Sequence, residues 1–172
     1  MKALHIHVGE RARQHIATQG LRPQDVRMVP AAAGGPKGLM LTHLDQQLFG
    51  RWLPMGGHTV HLVGASIGAW RMATAVMPDP IRAFADLAHG YIHQHIEPEP
   101  GRKMPSAARI TAGFTQTLQD FFGRDIEALL HHPRWRLHVL TSKGRQILLR
   151  NTPARTAAGF AGLALSNALS RK

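Results

Sequence analysis

Apolar and polar positions along the chain switch repeatedly between a period of two and a period near four. Residues 9 to 19 suit a short helix, and Gly20, Pro23 and Asp25 then punctuate the chain. The apolar stretch Val26-Arg27-Met28-Val29-Pro30 predicts a strand, and the glycine-rich run Ala31 to Gly38 follows it. Leu39, Met40, Leu44 and Leu48 recur at helical spacing until Gly50. A second such unit begins after Gly56-Gly57, where His58 to Val63 alternates and ends in Leu and Val, as a buried central strand does. It runs directly into Gly64-Ala65-Ser66-Ile67-Gly68. Ala69, Trp70, Met72, Ala73, Ala75 and Val76 continue as a helix until Pro78 and Pro80 stop it.

Residues 81 to 96 predict another helix, and 97 to 105, rich in proline, a loop. The stretch 106 to 130 is mostly helical in pattern, with Phe114, Leu118, Phe121, Phe122, Ile126, Leu129 and Leu130 on one face and Gly123 as a break. A third strand is expected at Arg136 to Thr141, and a final helix from about Ala154. Strands at 26–32, 59–64 and 136–141 alternating with helices indicate an α/β layer architecture with a mainly parallel sheet, one domain over residues 1–172. Three strands are few for a sheet covered on both faces, whose usual size is roughly four to six. This shortage is a first sign that further chain completes the fold.

Composition narrows the chemistry. With 172 residues and 44% hydrophobic content, the chain is long enough for one compact core. It has no cysteine, which excludes disulfides, thiolate metal sites and cysteine nucleophiles. Lysine and arginine number 21 against 10 acidic residues, a formal charge of +11 that favours anionic partners such as phospholipid surfaces or nucleic acid. Basic pairs such as Arg102-Lys103 and Arg171-Lys172 are scattered, with no longer run and no zinc-finger or RNP-type signature, so nucleic acid is set aside. His5, His7, Glu10 and Arg11 interrupt any export signal, and the apolar segment Ala154 to Leu169 contains Arg155, Ser166 and Asn167. A cytoplasmic, soluble protein is the expectation. That last segment is apolar around most of its circumference, so it should be covered on more than one side, and association through it is the expected consequence.

Gly64-Ala65-Ser66-Ile67-Gly68 matches the G-x-S-x-G nucleophile elbow and sits where the mechanics require it, after a predicted strand and before a predicted helix. Side chains at Gly64 and Gly68 would collide with the neighbouring strand and helix while Ser66 is held toward substrate. The helix amino terminus brings its dipole and the Ile67 amide near developing negative charge. Gly34-Gly35-Pro36-Lys37-Gly38, at the end of the preceding strand, has adjacent glycines whose amides can turn toward an oxyanion. By itself this loop could also bind phosphate or simply turn. It is not a Walker A loop, because Gly38 stands where Ser or Thr would follow Lys37.

Together the two loops resemble the patatin-like phospholipase family, whose glycine-rich D-G-G-G-x-R-G oxyanion loop precedes a G-x-S-x-G elbow. Gly34, Gly35, Lys37 and Gly38 fall on that loop's later glycines and its basic residue, while Ala32 and Ala33 replace its Asp and first Gly. The resemblance is strongest over residues 26 to 77. It implies a three-layer α/β/α fold and hydrolysis of lipid acyl esters by a Ser-Asp dyad, with Ser66 as nucleophile, Gly34, Gly35 and Ile67 as oxyanion donors and no cofactor. The family's aspartate usually lies in a downstream Asp-Gly pair. This sequence has none, and Asp79, Asp86, Asp120 and Asp125 are followed by Pro, Leu, Phe and Ile. A fragment or a natural truncation is therefore expected.

Three other readings stay beside this one. The chain could be an inactive remnant that binds lipid or protein, or a Ser-dependent acyltransferase using one of its twelve histidines; its charge alone would support a nucleic-acid binder. His89, His93 and His95 invite a metal reading, but only the first two share a helix face and no further ligand occurs at zincin spacing, so no metal is assigned.

Overall fold

The computed structural model describes residues 5–150 and 152–170. The basic pair Arg171-Lys172 lies outside the described residues. These fall into two compact units, the first ending at Leu140 and the second beginning at Thr141, where the amino-acid pattern had shown no linker.

The first unit contains helix α1 (Glu10–Gln19), strand β1 (Met28–Ala31), helix α2 (Thr42–Gln47), strand β2 (Val60–Gly64) and helices α3 (Ile67–Thr74), α4 (Pro80–His93), α5 (Ala107–Phe122) and α6 (Ile126–Leu130), then strand β3 (Trp135–Val139). The strands form one parallel sheet in the order β1-β2-β3, with Ala31 opposite Gly64 and Gly64 opposite Val139. The mixed α/β architecture with a parallel sheet, expected from the alternating periods, is present. Pro30 is tolerated because β1 is an edge strand whose outer side needs no donor. Asp79 caps α4 by accepting from the Arg82 amide at 3.1 Å, with Pro80 at the first helical position. Ser106 caps α5 in the same way, accepting from the Arg109 amide.

The helix expected between Leu39 and Gly50 divides into three. A 3-10 segment covers Gly35–Leu41, α2 follows, and a π-type turn spans Leu48–Trp52. Gly50 lies in that widened turn, where the Ile81 side chain fills the space its Cβ would need. Gln46 of α2 also reaches α4, donating to the Ile81 carbonyl at 2.7 Å.

The core gathers where these helices meet one face of the sheet. Phe49, Leu53, Val60, Leu62, Met72 and Phe84 are buried, with Phe49 stacked on Phe84 and set edge-on to Trp135. Each large side chain so buried contributes about 1.5–3 kcal/mol. Strand β2 alternates as its sequence does: Val60, Leu62 and Gly64 are buried, and His61 is exposed. The other sheet face carries Met28, His61 and Arg136 side by side, then Pro30, Val63 and His138, and only Val63 is partly covered. Two layers of the expected three are thus formed by the first unit, although parallel sheets are normally covered on both faces.

In the second unit a 3-10 turn (Gln146–Leu149) precedes helix α7 (Pro153–Ser170). Gly159 of α7 packs against Leu148 of the turn with no room for a Cβ.

The start of β3 depends on a neutral histidine. His132 Nδ1 accepts from the amides of Arg134 and Trp135 at 3.1 and 3.0 Å. Burial, then the charges of Arg134 and Arg136, hold its pKa below the usual 6.5. A depressed histidine pKa means that this support is whole above pH 6.5 and is lost as pH falls through the folded value. Hydrogen-exchange protection of the Trp135 amide should therefore fall several-fold on acidification below that pH. His132→Asn, which keeps an acceptor but cannot titrate, should remove the dependence.

Candidate active site

The two loops singled out in the sequence lie at the carboxyl ends of neighbouring parallel strands. The glycine loop begins after Ala31 and the elbow after Gly64, and these two residues are partners in register. Ala65 then donates its amide to the Ala31 carbonyl at 3.4 Å, so the chains separate only at this point.

Ser66 turns the strand into α3 with φ 53° and ψ −129°, a backbone conformation that residues with a Cβ rarely adopt. Holding it costs about 1–3 kcal/mol, and the surroundings enforce it. A Cβ on Gly64 would lie 2.5 Å from the Ala69 nitrogen, and one on Gly68 would run into the Ala31 carbonyl. Both glycines are therefore required by the closeness of helix to sheet. The Ser66 carbonyl accepts from Ala69 and Trp70 at 2.9 and 3.2 Å and starts the helix, while its side chain caps nothing and the residue is exposed.

The glycine loop packs against this elbow. Gly38 approaches Ile67 so closely that a Cβ would sit 3.0 Å from two of its side-chain carbons. Gly35 has a left-handed φ of 55°, which only glycine adopts without strain, and Lys37 is exposed. Among the described residues the amides of Gly34, Gly35 and Ile67 donate to no protein acceptor. Tyr91, the chain's single tyrosine, reaches across from α4 to within 3.9 Å of where a Gly35 Cβ would stand.

A clamp that the sequence reading missed holds the two loops together. Arg71 of α3 donates twice to Asp45 of α2, at 2.6 and 2.8 Å, with both side chains buried. Burial pushes the Asp45 carboxyl up from its usual range, and the bonds from Arg71 pull against that shift. Each residue sits in an otherwise apolar helical stripe, which was the available signal.

None of the six aspartates is at Ser66. Asp25 is bonded to the Arg22 amide and pairs with His15, and Asp45 is held by Arg71. Asp79, Asp86, Asp120 and Asp125 all line one cavity beyond the far end of α3, together with Met77 and Pro78. Eight residues of helix, a rise of roughly 12 Å, separate that end from the elbow. His89 and His93 stack at 4.1 Å near the end of α4, and His95 pairs with Glu97.

An apolar cavity of about 510 Å³ starts one helical turn after Ser66. Ala69, Trp70 and Ala73 of α3 form one wall, Leu118 and Phe122 of α5 another, and Leu137 and Val139 of β3 close the side next to Gly64. Its volume falls within the range of about 300–1,000 Å³ typical of small-molecule sites.

Compared with known proteins, the chain matches no family model, no curated sequence and no solved structure.

Strain and close packing at the elbow have opposite signatures in stability. Ser66→Gly should raise stability by about 1 kcal/mol, because glycine accepts the positive φ but loses more chain entropy on folding. Gly68→Ala should lower it by about 1–3 kcal/mol or more by forcing α3 off the sheet. Urea unfolding of both variants beside the parent chain measures the two effects.

Proposed function

We propose that the chain carries the nucleophile of a serine acyl hydrolase of the patatin type, acting on lipid esters. The observation that carries this reading is the positive-φ serine held out between two glycines that cannot be replaced, at the join of a parallel strand and a helix. In this reading the sheet belongs to a three-layer α/β/α fold.

Ser66 Oγ attacks the ester carbonyl, whose oxygen takes on negative charge and accepts from the Gly34, Gly35 and Ile67 amides. Collapse of that adduct expels the alcohol as its C–O bond breaks, and water then releases the acid from the acyl-serine. Lys37 supplies positive charge at the loop, for an anionic headgroup or for orienting the loop itself. The apolar cavity beside α3 receives the acyl chain, its walls being suited to methylene groups and to little else. The Ser66 proton needs an acceptor, for which a carboxylate is the patatin-type solution; Asp25 and Asp45 are ion-paired and the other four aspartates line the cavity past the far end of α3. That placement favours a second reading, in which the same elbow and cavity bind lipid without turning it over.

A fluorophosphonate probe separates the two readings. The adduct should map to Ser66 by mass spectrometry and vanish in Ser66→Ala. An adduct at another residue, or one undiminished in Ser66→Ala, removes the assignment, and a lipid-binding chain that forms no adduct favours the second reading.

Lys37 offers an independent check. If charge is its contribution, Lys37→Arg should keep most of the probe's reaction rate and Lys37→Ala should lose it. Equal loss in both would exclude that role.

A further inference from the structure

Helix α4 ends in His89-Gly90-Tyr91-Ile92-His93. Its two histidines stand four residues apart, the spacing that stacks side chains one turn above another on a single helix face. Both are exposed, and their rings lie face to face with centroids 4.1 Å apart and planes inclined by 28°. His93 Nδ1 is 2.8 Å from the His89 carbonyl oxygen. A carbonyl only accepts, so Nδ1 carries the hydrogen and the neutral ring keeps its lone pair on Nε2. Histidines that ligate metals are oriented in this way, with one ring nitrogen held by a carbonyl or carboxylate and the other left for the ion.

Charge favours a cation here. In a chain of formal charge +11, residues 83–101 contain Asp86, Glu97 and Glu99 and no lysine or arginine. Asp86 stands one turn before His89 on the same side of the helix, where Arg82 approaches it from the preceding turn at 3.6 Å. The negative end of the α4 dipole falls on the turn that carries His93. We infer that His89 and His93 form a two-histidine site for a divalent first-row transition metal ion. Imidazole suits zinc, nickel and copper. With zinc–nitrogen bonds of about 2.0–2.1 Å, small rotations of two exposed rings bring one nitrogen of each to the same ion. Among the described residues no three ligating side chains gather, and His95 pairs with Glu97, so water fills the ion's remaining positions. Spacing alone assigned no metal; ring stacking, the fixed tautomer and the local charge now point to one. Tyr91 lies between the two ligands and reaches the glycine loop at Gly35, so a bound ion stiffens the turn that touches that loop. The site holds whether or not Ser66 is a nucleophile.

Hydrogen exchange of the full chain, titrated with zinc chloride and read by mass spectrometry on the peptide covering the last turn of α4, tests the site. Zinc should slow exchange there several-fold, because an ion held across the turn must leave before the turn opens. His89→Gln and His93→Gln should each abolish the slowing. His61→Gln, which removes a histidine from the sheet instead, should leave it as in the parent chain. His93→Gln with Gln94→His keeps two histidines but sets them five apart, off one helix face, and should not restore it. Copper(II) should reach half of its effect at a lower concentration than zinc. Circular dichroism checks that each variant keeps the parent fold. Absence of slowing with either ion, slowing that survives in both single variants, equal loss in His61→Gln, or recovery with the histidines five apart would overturn the assignment.

Discussion

Helix α3 lies so close to the ends of β1 and β2 that two of its contacts leave no room for a side chain. Gly68 faces the Ala31 carbonyl, and Gly64 faces the backbone at Gly68 and Ala69. Much else in the first unit follows from that distance. It forces the chain to reverse within two residues, which puts Ser66 into a left-handed conformation and leaves its side chain uncovered. It also brings the glycine loop against Ile67, since that loop leaves the sheet from Ala31 itself. A larger residue at either glycine would separate the helix from the sheet and dissolve both arrangements together.

The buried pair Asp45–Arg71 secures the same geometry from behind. A buried ion pair adds little net stability, because desolvation of two charges offsets most of their attraction, yet removing one partner is costly, about 3–5 kcal/mol. Such a pair therefore fixes relative position more than it adds strength: α2 cannot slide along α3 without stranding a charge. It also engages the carboxylate of Asp45, on the helix that follows the glycine loop, with Arg71. The remaining aspartates after Ser66 collect at the other end of α3, an acidic cavity with Arg82 and Arg124 in its wall. Electrostatics in the first unit thus divide along α3, with the free amides at its amino end and the carboxylates past its carboxyl end.

Within the first unit one face of the sheet is left largely exposed among the described residues. In the first unit the sheet's open face carries His61 and His138, whose ring nitrogens lie 2.8 Å apart, rather than a row of aliphatic side chains. The polar character of this face suits contact with water.

Local chemistry made most of the elements legible from sequence. The period-two run before Ser66 gave β2, Pro78 and Pro80 gave the end of the helix after Ser66, and Gly123 gave the break before α6, because each depends on residues adjacent in the chain, whereas the capping of α4 by Asp79 and of α5 by Ser106 was not read. The elbow was legible for the same reason: its motif encodes a steric requirement over five consecutive residues. The division of 39–50 into 3-10, α and π turns was not, since it follows from Ile81 and Gly50, far apart in sequence. Nor was the ion pair between Asp45 and Arg71, two charges that look like solvated exceptions until folding buries them against each other. The gathering of four aspartates away from Ser66, and the choice of the glycine side of α7 for its internal contact, likewise came only with the tertiary structure. Sequence by itself determined which residues could turn, pair and cap, because those preferences act over a few bonds. Which of them face one another was decided by packing, which acts through space.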